Sequence, residues 1–163
     1  MKGDGVRVAT FVAVAPGRAF ELFTRDIGRW WLPGPRFRFA GPRDGTLRFE
    51  GGAGGRLIQE RGGGEEPFVV GAVRAWEPAA RLVVEWRLGN FAPGEATEVE
   101  VRFEAQGRGT RVTVEHRGFA SLRPDHPVRH GEEARAFAHR LGRWWGELLT
   151  SLREASEEPP DAA

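Results

Sequence analysis

The chain has 163 residues, enough for one domain with a substantial hydrophobic core, and 40% of them are hydrophobic. It has no cysteine, which excludes disulfides, thiolate zinc sites and cysteine nucleophiles, and no tyrosine to serve as an acid. Its 24 basic and 23 acidic side chains nearly cancel and alternate along the chain, so no basic stripe speaks for nucleic acid.

Residues 6–14, VRVATFVAV, alternate well enough for a first strand. Pro16 suits the first turn of a helix, and Ala19, Phe20, Leu22 and Phe23 then fall mostly on one side of it. Asp26 is placed to cap a second short helical turn that carries IGRWW and stops at LPGP. Strands separated by glycine-rich turns come next: 46–50, 55–61, 68–76, 82–88, 96–105 and 110–119. In the fifth of these, Val99, Val101, Phe103 and Ala105 share one face, and Glu98, Glu100, Arg102 and Glu104 the other. SLRPDHPVRHG is a connector, with Asp125 placed to cap a helix. From about Glu132 the period becomes helical, with Ala134, Phe137, Ala138, Leu141, Trp145, Leu148 and Leu152 at spacings of three and four. The last residues, 155–163, are polar and proline-broken and predict a disordered tail after a single domain over 6–154.

The order is strand, two short helices, about six strands and one long helix. The sheet has one apolar face and the helix one apolar stripe, so each can bury the other in an α+β fold.

No apolar run approaches the roughly 20 residues that span a bilayer. The start, MKGDGVRVATF, has no apolar signal core. Both observations predict a cytoplasmic protein without a membrane span. Lys2 is the only lysine and Asn90 the only asparagine, a bias that suits a G+C-rich genome or a thermophile.

The carrying motifs are VAPGRAFELFT with RWW within 14–31, GGR at 54–56, and GAVRAWEPAARLVVEW at 71–86. TEVEVRFEAQGRGTRVTVEHRGF at 97–119 and GRWWGELLTSL at 142–152 complete the set. In this order they resemble the START-like (helix-grip, SRPBCC) superfamily. Within it the chain is most similar to the group related to the C-terminal domain of the activator of the heat-shock-protein ATPase. The resemblance implies a curved antiparallel sheet of six or seven strands wrapped around the C-terminal helix, with a cavity between them. It implies a hydrophobic small-molecule ligand, a polyketide cyclase or dehydratase activity in some members, or a chaperone contact in a few. It implies no cofactor.

If such a cavity exists, parity names its lining. Val112, Val114 and His116 share one face of the last strand, and Val84 and Trp86 share the inward face of 82–88. Val73, Val101 and Phe103 join them, Trp30 or Trp31 covers one end, and Trp145 comes down from the helix. The tetrapeptide GRWW occurs at 28–31 and 142–145 in different contexts, so the copies are not halves of a repeat; each is expected to send a tryptophan into the same interior. The alternative is that these tryptophans only fill core space. His116 suits a ligand hydrogen bond or a general base, against the plainer reading of a buried histidine satisfied by its neighbours. No serine or second acid is tied to it, so no triad is read and no catalytic residue is assigned.

Glu60 and Arg56 face inward if Ile58 does and are solvated if Leu57 does, and alternation alone does not choose. His126 and His130 have a metal-ligand spacing, but Pro127 interrupts it and no HExxH accompanies it, so no metal is expected. GGAGG and GGG are turns, since neither is followed by GK[ST].

Overall fold

A computed structural model describes residues 5–31, 39 and 46–158. Seven strands form one antiparallel sheet in the order β1-β7-β6-β5-β4-β3-β2. They are β1 (Val6–Val12), β2 (Thr46–Glu50), β3 (Arg56–Glu60), β4 (Phe68–Glu77), β5 (Arg81–Trp86), β6 (Thr97–Gln106) and β7 (Gly109–Arg117). Two short helices, α1 (Pro16–Thr24) and α2 (Ile27–Trp30), follow β1, and α3 (Ala134–Ser156) closes the chain. This is the helix-grip arrangement expected from the sequence.

Consecutive strands pair because their links are short. Gln106 opposes Gly109 across a two-residue turn, with Gly107 at φ 56°, a left-handed value that glycine takes without steric cost. Alternation on β6 holds for most of its length: Val99, Val101 and Phe103 are buried against the helix side and Arg102 and Glu104 are exposed, but Ala105, expected on the apolar face, is exposed beside the turn to β7.

The opposite face holds one departure. Glu100 is only 4% exposed. Arg81 reaches its carboxylate at 2.7 Å, Arg117 at 2.9 Å and Arg102 at 3.0 Å. Burial pushes the Glu100 carboxyl up, but the hydrogen bonds of Arg81 and Arg117 and the charge of Arg102 outweigh it, so its pKa lies below the usual value.

On β3 both Leu57 and Ile58 are fully buried, because the pairing with β4 shifts register between them. Leu57 joins the main core, so Arg56 and Glu60 lie on the other side and are exposed. Arg56 pairs with Glu50 at 2.7 Å, and Glu60 pairs with Arg48.

The stripe of α3 consists of Phe137, Leu141, Trp144, Trp145, Leu148, Leu149, Leu152 and Ala155. Ala134, expected in the stripe, is exposed because it is the first residue of the helix, before the sheet covers it. The helix runs through Ser156 and buries Ala155, two residues beyond the expected boundary, while residues 159–163 of the expected tail lie outside the described residues. Neither expected acidic cap forms. Asp26 instead accepts from Arg18 at 3.1 Å, and Asp125 pairs with Arg123 at 3.0 Å. Among the described residues no helix is long and apolar enough to cross a membrane.

Candidate functional site: an aromatic box between sheet and helix

Where α3 crosses the sheet, Trp145 is completely buried and its indole N–H donates to His116 Nδ1 at 3.1 Å. An indole N–H can only donate, so Nδ1 is the unprotonated nitrogen. The ring proton therefore sits on Nε2 and is donated to Thr97 Oγ1 at 2.8 Å. The Thr97 hydroxyl passes its own proton on to the Trp86 carbonyl at 2.9 Å. Strand register builds this chain, since Thr97 pairs with Trp86 and His116 with Val99.

Both nitrogens of His116 are thus engaged. Burial pushes its pKa down to about 3, so the ring is neutral across the physiological range. The sequence left its role open between ligand contact, base and satisfied core histidine. The histidine is satisfied by its neighbours, and those neighbours are Thr97 and Trp145. Neither nitrogen is free to hold a ligand or take a proton.

Above this chain lies a group of rings centred on Trp31. Its centroid is 5.7 Å from Trp86, 5.7 Å from Trp144 and 5.9 Å from Trp145. Phe39 stacks on Trp31 at 6.1 Å and lies 5.8 Å from Trp86 and 6.1 Å from Phe68. Trp31, Phe39 and Phe68 are half-buried, and Trp86 and Trp145 beneath them are not exposed. The box therefore has a solvent-reachable rim of three rings and a dry floor.

Trp86 Nε1 is buried without a hydrogen-bond acceptor among the described residues. Such a group costs about 1–3 kcal/mol of stability and is uncommon in folded proteins.

The residues singled out by parity do not all meet here. Trp30 is buried against α1, donating to the Leu22 carbonyl at 2.8 Å and packing on Phe23 at 4.9 Å, so it serves the core instead of a rim. Phe103 packs on Phe20 at 5.2 Å and Phe23 at 6.0 Å, at the α1 end of the interior. Val73, Val84 and Val101 are buried in the common core. Trp31, Trp86, His116 and Trp145 do come together. The two GRWW copies are not related by any internal duplication: one ends α2, the other lies mid-α3, and they meet through Trp31 and Trp145.

Sequence reading missed Thr97, Phe39, Phe68 and Trp144. Thr97 was within reach, standing two residues before the inward Val99. Trp144 directly precedes Trp145 on a stripe wide enough to hold both. Phe39 lies in a proline- and glycine-rich stretch without any period.

The metal reading of the connector has no support. His126 accepts from Val128 N–H at 3.0 Å through Nδ1 and bonds Glu95 at 2.7 Å through Nε2. No group of three or more metal-binding side chains occurs among the described residues.

The model of the family described as activator of Hsp90 ATPase homolog 1-like protein matches residues 13–156. The chain belongs to this family. Among solved structures, this Hsp90-activator-like chain is similar to CalC, a self-sacrificing resistance protein from Micromonospora echinospora. The TM-score is 0.60 at 26% identity, over 99% of this chain and 100% of that one. It is also similar to the anthrahydroquino-γ-pyrone synthase Txn09, with a TM-score of 0.56 at 27% identity, covering 94% and 99% of the two chains. The Aha1 protein from Colwellia psychrerythraea, solved as a dimer, shares the fold at 17% identity and a TM-score of 0.59, over 93% and 95%. No curated protein matches significantly.

Proposed function

We propose that this family member binds a hydrophobic small molecule between the sheet and α3, entering at Trp31, Phe39 and Phe68 and resting against Trp86 and Trp145. What carries the reading is the half-exposed state of three clustered aromatic rings over a buried aromatic floor. Ring surface left partly wet at one spot gains free energy when an apolar partner covers it. The similarity to a synthase described in complex with SUM supports a small-molecule site in a protein of this shape.

A cyclase-like reading asks for a free base in the box. The one histidine there has both nitrogens engaged, which favours binding over histidine-driven chemistry. Native mass spectrometry of the protein purified from its own host should show a bound apolar compound. A spectrum carrying the polypeptide mass alone, together with no uptake of 2-acetylnaphthalene in equilibrium dialysis, would overturn the proposal.

A further inference from the structure

We infer that Trp86 Nε1–H is a polar anchor of this site, and that the ligand is a flat, uncharged aromatic compound carrying an oxygen acceptor such as a ketone. The inference rests on the binding reading above and deepens it. Three observations carry it.

The first is the orphaned donor. Trp86 is 2% exposed and its indole N–H has no acceptor among the described residues, although the rings of Trp31, Phe39, Trp145 and His116 all lie within 6.0 Å of its own. Around it, Trp145 gives its N–H to His116, and His116 and Thr97 complete the relay that ends on the Trp86 carbonyl. A ligand atom that satisfies the remaining site must therefore accept a hydrogen bond.

The second is charge. The titratable group at the floor is His116, held neutral by burial, while Arg56 and Glu60 are exposed and ion-paired and Glu100 lies on the opposite face of the sheet. Among the described residues that form the box none carries a charge, so a charged ligand would lose its hydration without compensation from them. The third is shape. Trp31 and Phe39 stack on each other 30° apart in plane and are partly wet, a flat aromatic surface that favours planar rings over branched aliphatic ones. His116 and Thr97 act as positioning residues: they fix Trp145 through its indole and Trp86 through its carbonyl.

Equilibrium dialysis of the full chain against three probes of like size tests this: 2-acetylnaphthalene, 2-isopropylnaphthalene and 2-naphthoate. The acetyl compound should bind about 5-fold more tightly than the isopropyl compound, the effect of one hydrogen bond, and 2-naphthoate more weakly than either. Trp86→Phe keeps an aromatic ring and removes the donor, so it should abolish the preference for the ketone. In wild-type protein labelled with nitrogen-15 on its indoles, one indole N–H signal should move downfield with 2-acetylnaphthalene and not with 2-isopropylnaphthalene. That measurement does not depend on the variant folding. Equal affinity of ketone and hydrocarbon for the wild type, or an unmoved indole signal, would overturn the anchor while leaving the apolar site intact. Absence of binding by all three probes would overturn the site itself, and the anchor with it.

Discussion

His116 decides how the interior is understood. Its inward position was legible from parity with Val112 and Val114. Its partners were not, because Thr97 lies 19 residues away and Trp145 lies 29 away, on other elements. Those partners turn a candidate base into a structural joint. The consequence is measurable against pH. The folded-state pKa of about 3 lies below the ordinary 6.5, so between these values the unfolded chain binds the proton more readily. The stability of the neutral ring is complete above about pH 6.5 and is lost as pH falls towards 3. Glutamine offers a neutral donor and acceptor without titrating. The stability advantage of wild type over His116→Gln, from urea unfolding, should therefore shrink with acid across that window, by up to about 5 kcal/mol. A difference that stays flat with pH would mean the ring is not held neutral. His116→Ala strands the Trp145 indole N–H, while the Thr97 hydroxyl keeps its bond to the Trp86 carbonyl; the unpaired indole should cost about 1–3 kcal/mol, read by the same unfolding experiment at pH 7.

Among the elements, α3 was the most legible, because a 23-residue amphipathic helix repeats its signal many times. Leu148 sits mid-stripe and is 1% exposed. Leu148→Ala should cost about 2–5 kcal/mol, and a change within about 0.5 kcal/mol would contradict its place against the sheet. β3 was the least legible. Leu57 and Ile58 are both apolar, and a register shift that buries both leaves no trace in alternation. The β4–β5 turn carries a local misfit of its own. Ala80 N–H bonds the Glu77 carbonyl at 2.9 Å, Pro78 takes the second position, and Ala79 stands third at φ 66°. Glycine is the residue this turn prefers there. Ala79→Gly should raise stability by about 0.5–1 kcal/mol, since relief of the left-handed strain exceeds the added chain entropy. A lower melting temperature for the variant would show that the turn is not strained.

For the molecule as a whole, the fold was legible and the box only in part: Trp31, Trp86, His116 and Trp145 were placed in one interior, but Phe39, Phe68 and Trp144 were not. Strand alternation and the helical stripe are periodic, and their order leaves few ways to close a core. The box is assembled from α2, the Phe39 position, β4, β5 and α3, and no period links elements so far apart. That assembly should also make unfolding all-or-none. Trp31 of the α2 cap touches Trp86 on β5 and Trp144 and Trp145 on α3, so no one of these elements leaves without disturbing the others. Urea transitions followed by tryptophan emission and by far-ultraviolet circular dichroism should coincide. An earlier emission change would mean that the rim opens as a separate unit.

The tryptophan contacts also make the protein an optical device. Trp30, Trp31, Trp86, Trp144 and Trp145 form one continuous chain of indoles with neighbouring centroids 5.1–5.9 Å apart, and Trp76 stands outside it against Phe20 and Phe49. At such separations the transition dipoles couple, and an excitation absorbed by one indole migrates over the group. The light absorbed by five chromophores then reaches whatever occupies the rim, so a single aromatic guest beside Trp31 would quench them together.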